Sequence, residues 1–449
     1  MDEKEEKPLD LKELLEEKKY AQLKDAFVSM NEVDIAQFIS GLTPTQAALA
    51  FRTLPKADEM EVFAELDTDV QQGIIQSISD AEVSSLIEEL WVDDAVDMLE
   101  EMPASLVKKV LRNSSAATRA QLNHFLRYPE NSAGSIMTAE FTDLRPNMSV
   151  AEAIKRIRRV GEDRETIYTC YVIDKTRHLL GTVTIKALLL AKDDGLVSEL
   201  MEEDIISVET TADQEEAAKL MAKYGLISLP VVDTENRLVG IVTVDDALEV
   251  IQEEDTEDFE KMNAMLPSEK PYLKTGVFQL AKNRIGWLMI LMVSGMVTSI
   301  LLGLYQDMYT ALPLLVSFIP MLTGTGGNAG SQSSTMVIRG MALGEINLKD
   351  WVAVLWKETR VSVIVGVILS LVNLVRLLVF YPGTGLLPLV VTLTLIASIL
   401  FAKTVGGVLP LAAKACKMDP AVMAAPLITT LVDAFALVIY FTIAKVFLM

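Results

Sequence analysis

Thiol and imidazole groups are almost missing from this 449-residue chain, whose only such residues are Cys170, Cys416, His124 and His178. Two cysteines in ordinary surroundings exclude a disulfide framework and a thiolate metal site, and they suit a reducing cytosol. The histidines lie in the polar part of the chain, where surface or plain structural positions are expected. The opening Met-Asp-Glu-Lys-Glu-Glu-Lys carries charges where the apolar core of a signal peptide would lie. No secretory peptide is therefore expected, and insertion into a membrane must rely on later segments. Positive charge is scarce in one half only. Residues 1–269 hold 27 Lys and Arg against 56 Asp and Glu, a balance of −29, while 270–449 hold 13 against 6, a balance of +7. Such an excess of carboxylates repels nucleic acid, which is excluded as a partner, and attracts divalent cations. Most of these acids solubilise helical surfaces; only acids clustered at an interface would make ion sites.

The length allows two or three domains plus a membrane part. From Leu9 to about Arg127 the pattern is one of short amphipathic helices, such as Asp34 to Ile39, Asp69 to Ile75 and Asp94 to Leu99. Their recurrence predicts an all-α helical superhelix, a regulatory or docking domain over residues 1–130. Residues 136–255 contain an internal repeat. Ser149 to Ile154, Tyr171 to Asp174 and Leu180 to Ile185 in the first copy answer to Asp213 to Ala218, Leu229 to Asp233 and Leu238 to Asp246 in the second. Each copy reads as helix, strand, turn, strand, helix. The repeat closely resembles a tandem pair of cystathionine-β-synthase (CBS) modules, α+β in class, over 131–195 and 196–254. Such pairs are regulatory, and they often bind adenine nucleotides or associate as dimers. Ala247 to Leu273 then reads as one amphipathic acidic helix.

Five hydrophobic stretches follow near 285–305, 312–338, 359–381, 386–411 and 421–447. Each is long enough to cross about 30 Å of hydrocarbon at roughly 1.5 Å per residue, so an all-α transmembrane domain of five helices is expected over 280–449. Lys282 and Arg284 precede the first span, Arg339, Lys349, Lys357 and Arg360 surround the second loop, and Lys414 and Lys417 lie in the fourth. The first and third loops carry none. The positive-inside rule then puts the N-terminal half in the cytosol and the C-terminus outside, in a multi-pass membrane protein.

The second span holds Pro320, Gly324, Gly326, Gly327, Asn328, Gly330 and Gln332. This density of glycine and polar side chains predicts unwound backbone lining a wet path; close helix packing through small residues is the alternative. In the fifth span Asp433 lies well inside the membrane, with no Lys or Arg in that span before Lys445. A carboxylate at such depth is expensive unless it meets water, a cation or a partner, so an ion path is its default reading. Mg²⁺ prefers hard oxygen ligands and keeps its water, and one carboxylate per subunit with carbonyls and amides suits a hydrated ion.

Pro320, Gly326, Gly327, Asn328, Gly330 and Gln332, with Asp419-Pro420-Ala421 and with Pro426, Thr430 and Asp433, are motifs similar to those of the MgtE family of Mg²⁺ transporters. The resemblance runs over nearly the whole chain: helical N domain, CBS pair, connecting "plug" helix at 247–273 and five-span pore. It implies a homodimer in the lipid bilayer with Asp433 of both subunits, and Asn328, near a central Mg²⁺. It also implies Mg²⁺-sensing sites at Asp93 and Asp97 in the N domain, at Asp213, Glu216, Asp245, Asp246 and Glu249 in the second CBS module, at Glu254, Glu257 and Asp258 on the plug, and at Asp419. Gly225 stands where an acid of the family is expected, and Glu249 replaces a shorter Asp. The function implied is Mg²⁺ uptake, closed by high cytosolic Mg²⁺, with no enzymatic activity. Other divalent cations such as Mn²⁺, and an adenine nucleotide at the CBS pair, are further candidate ligands. A proton- or Na⁺-coupled exporter is disfavoured by the single deep acid. An intramembrane enzyme lacks a catalytic constellation, and a receptor that transports nothing would not need Asp433.

Overall fold

The computed structural model describes residues 11–56, 58–268, 272–423 and 425–448, and the chain divides into two compact units, Met1–Gln252 and Glu253–Met449. The first unit opens with short helices: α1 Leu11–Glu16, α2 Tyr20–Phe27, α3 Glu32–Ser40, α4 Pro44–Phe51, α5 Glu59–Ala64, α6 Thr68–Ser77, α7 Asp80–Glu89, α8 Val92–Glu100, α9 Ala104–Asn113 and α10 Ala116–Phe125. Local chemistry starts them. The Asn31 side chain accepts from Val33 N at 3.1 Å, and Ser79 and Glu82 form a reciprocal capping box on α7. No single helix of this length is stable alone. They hold together because each buries one apolar stripe, Ile35 and Ile39, Ile74 and Ile75, or Val96 and Leu99 among them, in a shared core.

The repeat folds into two like modules. In the first, β1 (Asp143–Leu144) pairs parallel with β2 (Thr169–Ile173), which pairs antiparallel with β3 (Leu179–Thr184); α11 (Val150–Val160), α12 (Ile185–Leu190) and α13 (Val197–Leu200) accompany them. In the second, β4 (Val208–Glu209), β5 (Ser228–Val232) and β6 (Leu238–Thr243) repeat the arrangement with α14 (Gln214–Tyr224). The short first strand of each sheet is an element that the pattern did not announce. Phe141, Tyr171, Leu179, Val232, Leu238 and Ile241 share one core, and Tyr171 Oη lies 2.7 Å from Ser228 Oγ. The N-terminal core continues into the second module through Met137, Ala217, Met221 and Leu229. A helical N-terminal domain followed by two α+β modules is thus as expected.

The acidic helix is shorter than its pattern suggested. Helix α15 spans Val244–Met262, not Ala247 to Leu273. Ala264 adopts φ 55° just beyond its end, and Pro267 could not continue it; residues 269–271 lie outside the described set.

The second unit is helical: α16 Val277–Leu304, α17 Gln306–Ala311, α18 Ile319–Ala342, α19 Trp351–Phe380, α20 Leu387–Ala415 and α21 Ala425–Leu448. Four segments are long and apolar enough to cross a membrane, Val277–Leu304, Leu348–Phe380, Leu387–Ala415 and Pro426–Leu448. Helix α18 has the length but is too rich in Gly, Ser, Thr and Asn to join them. It is also unbroken, contrary to the expectation of unwound backbone. Its glycines serve close packing instead: a Cβ on Gly406 of α20 would fall 2.2 Å from Gly330 O of α18. At such a crossing only two glycines let the backbones touch.

Candidate functional site

In the first unit, the N-terminal residues of α15 and helix α8 bring carboxylates from distant parts of the chain to one place. Asp93, Asp94 and Asp97 stand on α8, and Asp245, Asp246 and Glu249 on the first turns of α15. Glu165, just before β2, joins them. Half-buried Asp93 has its carboxyl raised well above the ordinary range, by desolvation and by facing Asp246, Asp94 and Glu165. Its Oδ1 is buried without a hydrogen-bond partner, as is Glu165 Oε2. Desolvation, then Asp246 and Asp97, raises Asp94 to about 7. Glu165 rises to about 7 for the same first cause, with Asp245 and Asp94 adding to it. Asp246 rises to about 6, though Thr243 hydrogen-bonds to it at 3.3 Å through its backbone N–H. At the solvent-facing rim Asp97 rises to about 6, by partial desolvation and by Glu101 and Glu249. Glu249 is raised as well, by desolvation and then by Asp246 and Glu65.

These shifts share a physical origin. Like charges in a partly desolvated interface resist ionising together. Asp94 and Glu165 were not among the site residues read from the sequence. Asp94 was legible only as half of an acidic doublet, and Glu165 carries no local signal at all.

Asp213 and Glu216 stand apart from this cluster. Asp213 is the N-cap of α14, accepting from Glu215 N at 2.9 Å, and both are exposed. Gly225 ends the same helix at φ +64°, the left-handed cap that glycine adopts without strain, so its presence has a local structural reason.

In the second unit, Lys261 of α15 stands between two of the candidate acids. Its Nζ is 2.6 Å from Glu257 and 2.8 Å from Asp419, which precedes α21. Glu254 and Asp258 are half-buried on the same helix. Asp255 pairs with Arg339 of α18 at 3.7 Å. Met262 packs beside Val337, Ile338 and Met341 of α18, Val354 of α19 and Leu411 of α20. The C-terminal end of α15 is thus docked on α18, α19 and α20.

Asp433 lies on α21, half-buried, with Oδ1 buried and lacking a hydrogen-bond partner. Its neighbour Val432 packs at Gly326 of α18, where a Cβ would come within 2.9 Å. Gly324, Asn328, Gln332 and Thr335 form an exposed polar stripe along α18, at spacings of three and four. Glu358 of α19 and Lys403 of α20 are charged residues inside spans that the sequence reading passed over, so Asp433 is not the lone acid of the membrane helices. Among the described residues, no three His, Cys, Asp or Glu side chains converge tightly enough to hold a bare metal ion. Spread carboxylates with orphaned oxygens fit a hard cation that keeps part of its water.

Comparison with known proteins covers nearly the whole chain. Residues 319–443 match the family profile described as a divalent cation transporter, 30–131 that of the MgtE intracellular N domain, and 133–194 and 197–253 that of the CBS domain. The chain is 36% identical over 444 residues, 98% of each protein, to the magnesium transporter MgtE of Thermus thermophilus. It is 30% identical to that of Bacillus subtilis, over 92% of this chain and 94% of that one. A solved cytosolic domain of the Mg²⁺ channel MgtE in complex with ATP is 35% identical, with a TM-score of 0.51, and covers 54% of this chain and 98% of its own.

Proposed function

Because the chain belongs to the MgtE family of magnesium transporters, we propose that it is a Mg²⁺ channel of the bacterial inner membrane, closed by the cytosolic concentration of its own permeant ion. The observation that carries the gating part is the interface cluster of Asp93, Asp94, Asp97, Glu165, Asp245 and Asp246, with two buried oxygens that nothing among the described residues satisfies. Ionised together, these groups push α8 and the start of α15 apart. A divalent cation between them removes that repulsion and favours the packed arrangement, so cation binding to one state shifts the population. Helix α15 carries the change, because it begins among these acids and ends on the pore helices. Glu254, Glu257, Asp258 and Asp419 then form the sensing contacts on the pore side, and Asp213 and Glu216 an outlying site.

Within the membrane, Asp433 and Asn328 are the residues proposed to meet the ion. Asp433 supplies the negative charge, and the stripe through Asn328 and Gln332 supplies neutral oxygens. An exposed polar stripe on a membrane helix needs covering, which supports a homodimer whose second copy closes the path. The proposed orientation has the N-terminal half in the cytosol and the C-terminus outside. Adenine nucleotide is proposed as a ligand of the CBS pair, supported by the relative solved with ATP.

Limited proteolysis of a 1–270 fragment across a Mg²⁺ titration tests the sensing part. Protection by Mg²⁺ but not by Na⁺ of equal ionic strength is expected. Equal protection by both salts would reduce the cluster to a solvated surface, because monovalent salt only screens.

A further inference from the structure

Lys403 is 5% exposed in the middle of α20, and its Nζ donates to Ser333 Oγ of α18 at 3.2 Å. Ser333, 2% exposed, donates in turn to Glu358 Oε2 of α19 at 2.5 Å. One hydroxyl therefore joins a buried cation and a carboxylate across three helices. The surrounding backbone is shaped to admit it: a Cβ on Gly407 would come within 2.9 Å of Glu358 Cγ. One turn away, Gly330 and Gly406 cross at backbone contact.

Charges inside a membrane protein are costly, and a buried ion pair is rarely more stabilising than apolar residues of equal volume. What such a group supplies is register, because a polar link is satisfied in one arrangement only, whereas apolar surfaces slide. Ser333 sits on the buried face of α18, and Gly324, Asn328, Gln332 and Thr335 on its exposed face. Fixing Ser333 fixes the rotation of the stripe behind it. We propose that Lys403 and Glu358, acting through Ser333, are positioning residues for conduction: they hold α18 so that Asn328 and Gln332 face the ion. This rests on the reading of Asn328 and Asp433 as the ion path. Neither Lys403 nor Glu358 touches the ion; their effect passes through α18.

The test uses the full-length chain in proteoliposomes, with melting temperature, Mg²⁺ flux and the Mg²⁺ to Na⁺ permeability ratio measured for each variant. Replacing both partners, Lys403→Met with Glu358→Met, removes both charges and leaves no unpaired ion. The double variant is expected to melt close to the unmodified protein, while flux falls about tenfold or more and the permeability ratio falls with it. Lys403→Arg alone is expected to keep the ratio, because a cation still reaches the hydroxyl. Flux and ratio unchanged in a folded double variant would overturn the proposal. If that variant does not fold, Ser333→Ala decides, since it deletes one hydroxyl: a lowered ratio supports the positioning role, and an unchanged ratio overturns it. Asp433→Ala, run alongside, separates the two readings. If it conducts normally the ion path itself is misassigned; if it is silent while the double variant conducts normally, only the positioning role fails.

Discussion

The two acidic regions of this protein treat charge in opposite ways. Around α8 and the start of α15, carboxylates face carboxylates, and among the described residues no ion pair joins Asp93, Asp94 or Asp246: Asp93 is pressed by Asp246, Asp94 and Glu165. At the far end of α15 the acids are already answered, with Lys261 between Glu257 and Asp419 and Arg339 against Asp255. A region left uncompensated changes state when an ion arrives. A compensated one is held with or without it, although an exposed pair such as Asp255–Arg339 contributes only about 0–1 kcal/mol. On the proposed function, sensitivity to Mg²⁺ therefore belongs mainly to the first region, and the lysine-bridged contact sets how firmly the gate rests when the ion is absent.

The largest effect is expected outside both regions, and it is the control on which the comparison depends. Asp433→Ala should reduce Mg²⁺ flux roughly 100-fold or more, the equivalent of about 2.7 kcal/mol of barrier, in a protein that still folds; near-normal flux would remove the ion path from its assigned place.

Acid sharpens the contrast between the regions. Asp94 and Glu165 are raised to about 7, and Asp97 and Asp246 to about 6, in the packed arrangement, against ordinary values near 4 when the elements separate. Groups whose pKa is raised on packing bind more protons there, so the packed form is fully favoured below the ordinary value and loses that advantage as pH rises through about 6 to 7. Lowering pH from 8 to 5.5 should thus protect the 1–270 fragment from protease without Mg²⁺, and cut the Mg²⁺ needed for protection several-fold. Replacing Asp93, Asp94 and Asp246 together by Asn should weaken that pH dependence, leaving the part carried by Glu165 and Asp97. Protection that weakens on acidification would contradict the origin assigned to these shifts.

On the compensated side, Lys261→Met should raise channel opening at zero Mg²⁺ by no more than about fivefold, roughly 0.5 kcal/mol from each of its two half-buried pairs. An effect larger than that of the cluster variants would reverse the ranking of the two regions. The smallest effect is expected from Gly225→Asp. An L-residue held at φ +64° costs about 1 kcal/mol or more, and no atom lies within 4 Å of the added carbon. A melting point lower by a few degrees, with little change in Mg²⁺ response, is the expected outcome.

Much of this arrangement was legible in the sequence because its signals are local. The repeat and the apolar stripes of α3, α6 and α8 each depend on neighbours within a few positions. The elements misjudged are those decided by distant contacts. Helix α18 looked broken because glycine weakens an isolated helix, yet Gly330 is helical and packed because α20 presents Gly406 to it. Glu165 gave no sign because the charges that press on it, Asp245, Asp94 and Asp246, are far away in the chain. Lys403 and Glu358 passed as ordinary charges in or beside apolar runs until Ser333 was seen between them. Asp93, Asp97, Asp245, Asp246 and Glu249 were read from a family pattern; what the pattern did not contain was the difference in charge compensation along α15.

The most direct test of the central claim is Mg²⁺ flux through the full-length protein in oriented proteoliposomes, with Mg²⁺ clamped separately on each face. Flux should fall steeply as Mg²⁺ rises on the face bearing the N-terminal unit while the other side is held constant, and Na⁺ at matched ionic strength should leave it unchanged. Flux that ignores Mg²⁺ on that face, or that Na⁺ suppresses equally, would contradict a gate closed by its own permeant ion.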